Sequence, residues 1–140
     1  MNYGRLALAA LAGTIAYFAI GFVVFGQFIA DAYRPYAAVY RPAQDIMRVF
    51  PIGIAATFIG ILVLVAMYAK SYERGNGAAE GARFGALVGI FAVCAFVLHN
   101  YVNLNIGVKL TLEQAVGYFV EWLVVGIVIG LIYKPMPQGR

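Results

Sequence analysis

His99 and Glu121 are the only basic and acidic side chains set deep within the long apolar stretches of this 140-residue chain, and they fall on consecutive stretches. An ionisable group at membrane depth costs from about 2.5 to well over 10 kcal/mol unless it faces a partner or a sheltered interior, so such a pair marks a site. If a third helix ends near Ile106 and a fourth starts near Leu112, His99 lies roughly 10 Å and Glu121 roughly 14 Å below the same surface. Side chains lean toward the N-terminus of their own helix, so in an antiparallel pair the two tips converge. Asn100, Asn103 and Gln114 add donors and acceptors on the same broad face. The expected result is a polar column in one half of the membrane, with Tyr118 and Trp122 as its walls.

Three chemistries fit such a column. The first is polar glue between helices, with the amides satisfying whatever His99 and Glu121 leave over. The second is a ligand or proton site, in which Glu121 titrates and His99 relays, as a small proton-linked transporter or permease would require. The third is haem or pigment ligation through a His99 ring nitrogen. No cofactor is otherwise expected, and no metal cluster is legible. Cys94, the single cysteine, sits within an apolar run without the partners of a zinc or iron-sulfur site and reads as packing.

A second set of residues could grip an anion. Tyr33-Arg34-Pro35 recurs seven residues later as Tyr40-Arg41-Pro42, and Arg48 extends the spacing. Three arginines beside tyrosine hydroxyls suit a lipid headgroup phosphate or a carboxylate. The plainer alternative is an aromatic and basic belt that fixes depth in the interface. Pro35 and Pro42 each remove an amide donor and disfavour helix just before them, so the segment reads as short interfacial helical turns rather than one straight helix.

The elements that must carry these residues follow from composition. Apolar residues make up 64 % and charged residues 11 % of the chain, against about half and about a quarter in soluble domains. Lipid is therefore the expected solvent. A hydrocarbon core about 30 Å thick takes roughly 20 helical residues. Spans are expected at about 6–30, 49–69, 84–106 and 112–133, giving an all-α, single-domain bundle of four transmembrane helices with a short interfacial helical segment between the first two. The first stretch is too long for the apolar core of a secretory signal and reads as a retained helix. Membrane lipids are the expected partners of the +4 net charge, because the basic residues lie almost wholly in the connections; nucleic acid is not.

Six basic residues (Arg5, Lys70, Arg74, Arg83, Lys134, Arg140) fall on the side of the termini and four (Arg34, Arg41, Arg48, Lys109) on the other, which favours cytoplasmic termini in a bacterial inner membrane. Thr111 and Gln114 have the spacing of a capping box at the start of the fourth helix.

Close helix packing in lipid depends on small residues, and these form stripes: Gly81, Gly85 and Gly89 on the third helix, Gly126 and Gly130 on the fourth. At about 100° per residue, Asn103 and Asn100 continue the glycine stripe of the third helix. Gly130 lies about 180° from Glu121, so the fourth helix has two faces that seek protein. A homo-oligomer, or a complex with other membrane subunits, would supply the extra neighbour.

The second half of the chain, through Glu80-Gly81-Ala82-Arg83, Asn100-Tyr101-Val102-Asn103, Trp122 and Gly126, resembles a family of small bacterial four-helix integral membrane proteins of unknown function, over residues 78–134. Val24-Phe25 stands where such proteins tend to carry a Trp-Tyr pair. The resemblance implies four helices and lends no catalytic residue. With no P-loop, HExxH helix, GxSxG elbow or CxxC pair in the sequence, the expected function is non-enzymatic: an integral membrane protein working as a homo-oligomer or as an accessory subunit of a larger complex.

Overall fold

In the computed structural model, which describes residues 2–71 and 76–133, the chain is all-helical. Four helices are long and apolar enough to cross a membrane: α1 (Tyr3–Phe28), α2 (Ala43–Ser71), α3 (Gly77–Asn103) and α4 (Val108–Ile132). A 3-10 helix, Ala30–Tyr36, lies between the first two. All four begin earlier than their apolar runs, α2 and α3 by the most. Asn76 accepts from the amides of Ala78 and Ala79 and so starts α3 at Gly77 rather than near residue 84. The Pro42 carbonyl receives the amides of Asp45 and Ile46, and α2 is wound from Ala43 rather than from near residue 49. The Lys70–Arg83 connection is correspondingly short, and its middle, 72–75, lies outside the described residues.

The organising element is α4, which packs on α3 with one face and on α1 with the other. Against α3 the contact is backbone to backbone. A Cβ on Gly85 would stand 2.5 Å from the Trp122 carbonyl oxygen, one on Gly81 would meet the Gly126 carbonyl, and one on Gly130 would meet that of Gly77. Gly89 lies against the Phe119 ring and backbone. Small residues are what allow this approach, and dispersion between the closely apposed backbones is its return.

Against α1 the packing is of side chains. Leu6, Ala9 and Ala10 of α1 join Ile61, Val65 and Tyr68 of α2 and Val125, Ile129 and Tyr133 at the end of α4 in one buried cluster. This closes the end of the molecule near the N-terminus. The opposite end is built differently. Every residue of α2 from Ala43 to Ala56 is exposed except Asp45, so the first half of that helix stands largely free of the others.

Both protein-seeking faces of α4 are thus filled within one chain, by α3 over Gly126 and Gly130 and by α1 over Glu121. A second copy is not needed to satisfy them.

Two helices carry an internal π turn, Val24–Phe28 in α1 and Val93–Leu98 in α3. The second has a direct consequence for the site. Buried positions on α3 run Gly77, Gly81, Gly85, Gly89, Ala92 and then Val97, the last interval widening to five residues. The extra residue in that turn rotates everything beyond it by about 100° relative to an uninterrupted helix.

Candidate functional site

His99 and Glu121 do not meet. His99 follows the π turn of α3 and is exposed, whereas Glu121 is 1 % exposed at the contact between α4 and α1. The sequence-based pairing placed both on the α3–α4 seam; the π turn swings His99 off it, and the stripe of Gly117, Glu121 and Val125 faces α1. Asn103, expected in line with Gly85, is exposed for the same reason. The imidazole is not placed to relay a proton to the carboxylate. His99 stands on an outward surface, and among the described residues no group of three His, Cys, Asp or Glu side chains converges anywhere.

Around Glu121 the packing is close and almost devoid of polar partners. Its Oε1 lies 2.6 Å from where a Cβ on Gly21 would stand, so any side chain there would push the carboxyl aside. One turn along α4, Gly117 receives Val24 and Phe25 of α1. Oε2 is buried and accepts no hydrogen bond among the described residues. Tyr17 and Tyr118 lie within electrostatic reach of the carboxyl. A carboxyl in such a setting must find a proton, a cation or a donor.

Beside this contact, at the end of the molecule that α2 leaves open, lies a chamber of about 540 Å³. Its floor and walls are Tyr17 from α1, Ala92, Phe96, Val97 and Asn100 from α3, and Tyr118 and Trp122 from α4. Tyr33, Tyr40 and Gln114 form the roof, and α2 contributes no lining residue. Tyr17 and Trp122 pack ring to ring at 5.2 Å, and Tyr118 is held by Phe25 at 4.9 Å.

The roof is built by the repeat in the first connection. The Gln114 amide Nε2 donates to the hydroxyls of Tyr33 at 3.0 Å and Tyr40 at 3.2 Å, and the two rings meet edge to face at 5.0 Å. Each hydroxyl accepts, so each keeps its own proton to donate. Burial pushes the Tyr33 phenol above its ordinary range, with Tyr40 and Glu113 adding to the shift and the Gln114 hydrogen bond opposing it. Tyr36 pins the same segment down, its hydroxyl lying where a Cβ on Gly107 would be.

No known protein family, curated protein or solved structure matches the chain. The site must be read from its geometry. Of the expected polar column, Gln114 and Asn100 share the chamber, Glu121 lies behind its Tyr17 and Tyr118 walls, and His99 and Asn103 are outside it.

The anion grip is likewise taken apart. Tyr33 and Tyr40 turn inward to Gln114, while Arg34 pairs with Asp31 at 2.9 Å on the surface and Arg41 and Arg48 are exposed. Seven-residue spacing put like residues on like faces, but within each copy of the repeat tyrosine and arginine point opposite ways. The capping box is absent too. Because α4 starts at Val108, Thr111 is already inside the helix and donates to the Gly107 carbonyl at 3.1 Å, leaving Gln114 for the roof.

Sequence reasoning missed Tyr17, Phe96 and Gly21. The signal for Gly21 was weak but present: it lies four residues after Tyr17 on the same face of α1, a small residue in an otherwise bulky stretch.

Proposed function

We propose that the chain is a non-enzymatic integral membrane protein, its four helices crossing the bilayer as a bundle, and that its work is to hold a small amphipathic molecule in the chamber beneath Tyr33 and Tyr40. The observation that carries this reading is the chamber itself: about 540 Å³, lined by six aromatic rings, with the Gln114 amide and the Tyr33 and Tyr40 hydroxyls hydrogen-bonded together at its roof. That is the composition of a ligand pocket, apolar over most of its surface with a few placed polar groups. Amides, phenols and an indole can hold and orient a ligand by hydrogen bonds and ring contacts.

A ligand would lie with its apolar body against Phe96, Tyr118 and Trp122 and its polar head at the Tyr33 and Tyr40 hydroxyls. Because α2 lines no part of the chamber and its first half stands free, entry is sideways from the bilayer, past Ala43 to Ala56. By the distribution of basic residues, the chamber end faces away from the cytoplasm.

The test is what copurifies. Extracted from native membranes and analysed by mass spectrometry of the organic extract, the wild-type chain should carry a defined small molecule in fixed ratio. Gln114→Leu should lose it while keeping its helicity and elution volume. Recovery of bulk lipid alone, in equal amounts from both proteins, would overturn the proposal.

A further inference from the structure

We infer that the chamber takes a lipophilic organic cation, with Glu121 as its counter-charge and a proton as its competitor. This rests on the chamber being a binding site and adds the chemical class of what it binds.

Three electrical features of the chamber favour a positive charge. Among the described residues, no Lys, Arg or His lines it. It is lined by six aromatic rings, a residue type whose π faces attract ammonium and phosphonium groups, Trp most strongly. Its amide and phenol groups each carry an oxygen that can turn toward a positive charge, the Trp122 indole N–H alone being a donor only. Behind the Tyr17 and Tyr118 walls stands a carboxyl, Glu121, buried to 1 % exposure with Oε2 accepting nothing among the described residues, and a second acid, Glu113, acts on Tyr33 at the roof.

That carboxyl is electrically incomplete. From α1 it is faced by Tyr17 and by Gly21, which has no side chain to offer; on its own helix Tyr118 is the neighbouring titratable group. No charged group from any helix acts on it among the described residues. Near the middle of the 25-residue α4 it is also far from either end of the span. A carboxylate there has two ways to be neutralised, by a proton or by a cation brought in from outside.

Tyr17 and Tyr118 connect the two features. Each lines the chamber and each lies within electrostatic reach of Glu121. A cation held against these rings therefore acts on the carboxylate across a wall of aromatic side chains, where charges interact more strongly than in water. Since proton and cation neutralise the same group, each must weaken the binding of the other to an equal degree.

Two nearly isosteric probes decide the matter: methyltriphenylphosphonium, which is cationic, and triphenylphosphine oxide, which is neutral. Both are titrated calorimetrically into the purified full chain. The cation should bind at least about 10-fold more tightly at pH 8 than at pH 6, and the oxide equally at both. Glu121→Gln should lose both the pH dependence and about 10-fold in cation affinity at the higher pH, with oxide binding unchanged; Glu121→Asp should keep the dependence. If the oxide binds but the cation binds no better, or Glu121→Gln leaves cation binding and its pH profile intact, the cation inference falls and the chamber stands. If neither probe binds, the chamber reading falls and takes this inference with it.

Discussion

Glu121 on α4 and Gly21 on α1 meet so closely that a single methyl group at position 21 would stand 2.6 Å from the carboxyl oxygen Oε1. A buried acid is thus accommodated by the absence of a side chain on the facing helix. Gly21→Ala must displace the carboxyl or separate the helices, costing about 1–3 kcal/mol. In the Glu121→Ala background the same change should cost at least about 1 kcal/mol less, because the clashing atoms are gone. Thermal unfolding of the four proteins in one detergent gives the coupling; additive effects would mean that the two residues do not touch.

The α3–α4 seam predicts a graded response to glycine substitution. Gly85→Leu or Gly126→Leu drives a side chain into backbone and should cost about 3 kcal/mol or prevent folding. Gly53→Leu and Gly60→Leu meet nothing within 4 Å and should stay within about 0.5 kcal/mol of wild type. Equal sensitivity at all four positions, read from unfolding midpoints, would contradict the packing described.

His99 offers the simplest check on the separation of the two ionisable groups. Exposed and unpaired with Glu121, it should tolerate His99→Ala with a change below about 0.5 kcal/mol. A loss of several kcal/mol, as expected when one partner of a buried charge pair is removed, would restore the contact that the π turn breaks.

The roof makes a prediction in pH. Burial raises the Tyr33 phenol above its ordinary value of 10.0, so above that pH the unfolded chain loses this proton before the folded one does. The sign follows from linkage: the stabilisation is complete below about pH 10 and is lost as pH rises through the folded-state value. Tyr33→Phe should flatten that alkaline limb. Gln114→Leu, which strips both hydroxyls of their donor, should cost about 1–3 kcal/mol and exceed either tyrosine change alone.

Much of the architecture was legible because lipid leaves few choices: apolar runs of sufficient length must be helices, and glycine stripes mark close seams. Helix starts were less so, since Gln44, Asp45 and Glu80 are polar residues on helical turns that continue past the apolar run. The site was legible in composition and not in arrangement. Gln114 and Glu121 were recognisable as buried polar candidates and Asn100 as a neighbour of the chamber, but a π turn has no period of its own in the sequence. One extra residue between Ala92 and Val97 was enough to send His99 and Asn103 outward. The Tyr-Arg-Pro repeat misled in a similar way. Its period reports which residues are equivalent and is silent on which of the two, ring or guanidinium, finds a partner inside.

Trp122, the single tryptophan of the chain, is itself a wall of the chamber, so its fluorescence is the most direct readout of occupancy. Titrated with triphenylphosphine oxide in detergent, the wild-type protein should show a saturable change in Trp122 emission, and Gln114→Leu should weaken or abolish it. A change that rises without saturation and is identical in both proteins would mean that the probe partitions into the micelle and that the chamber holds nothing.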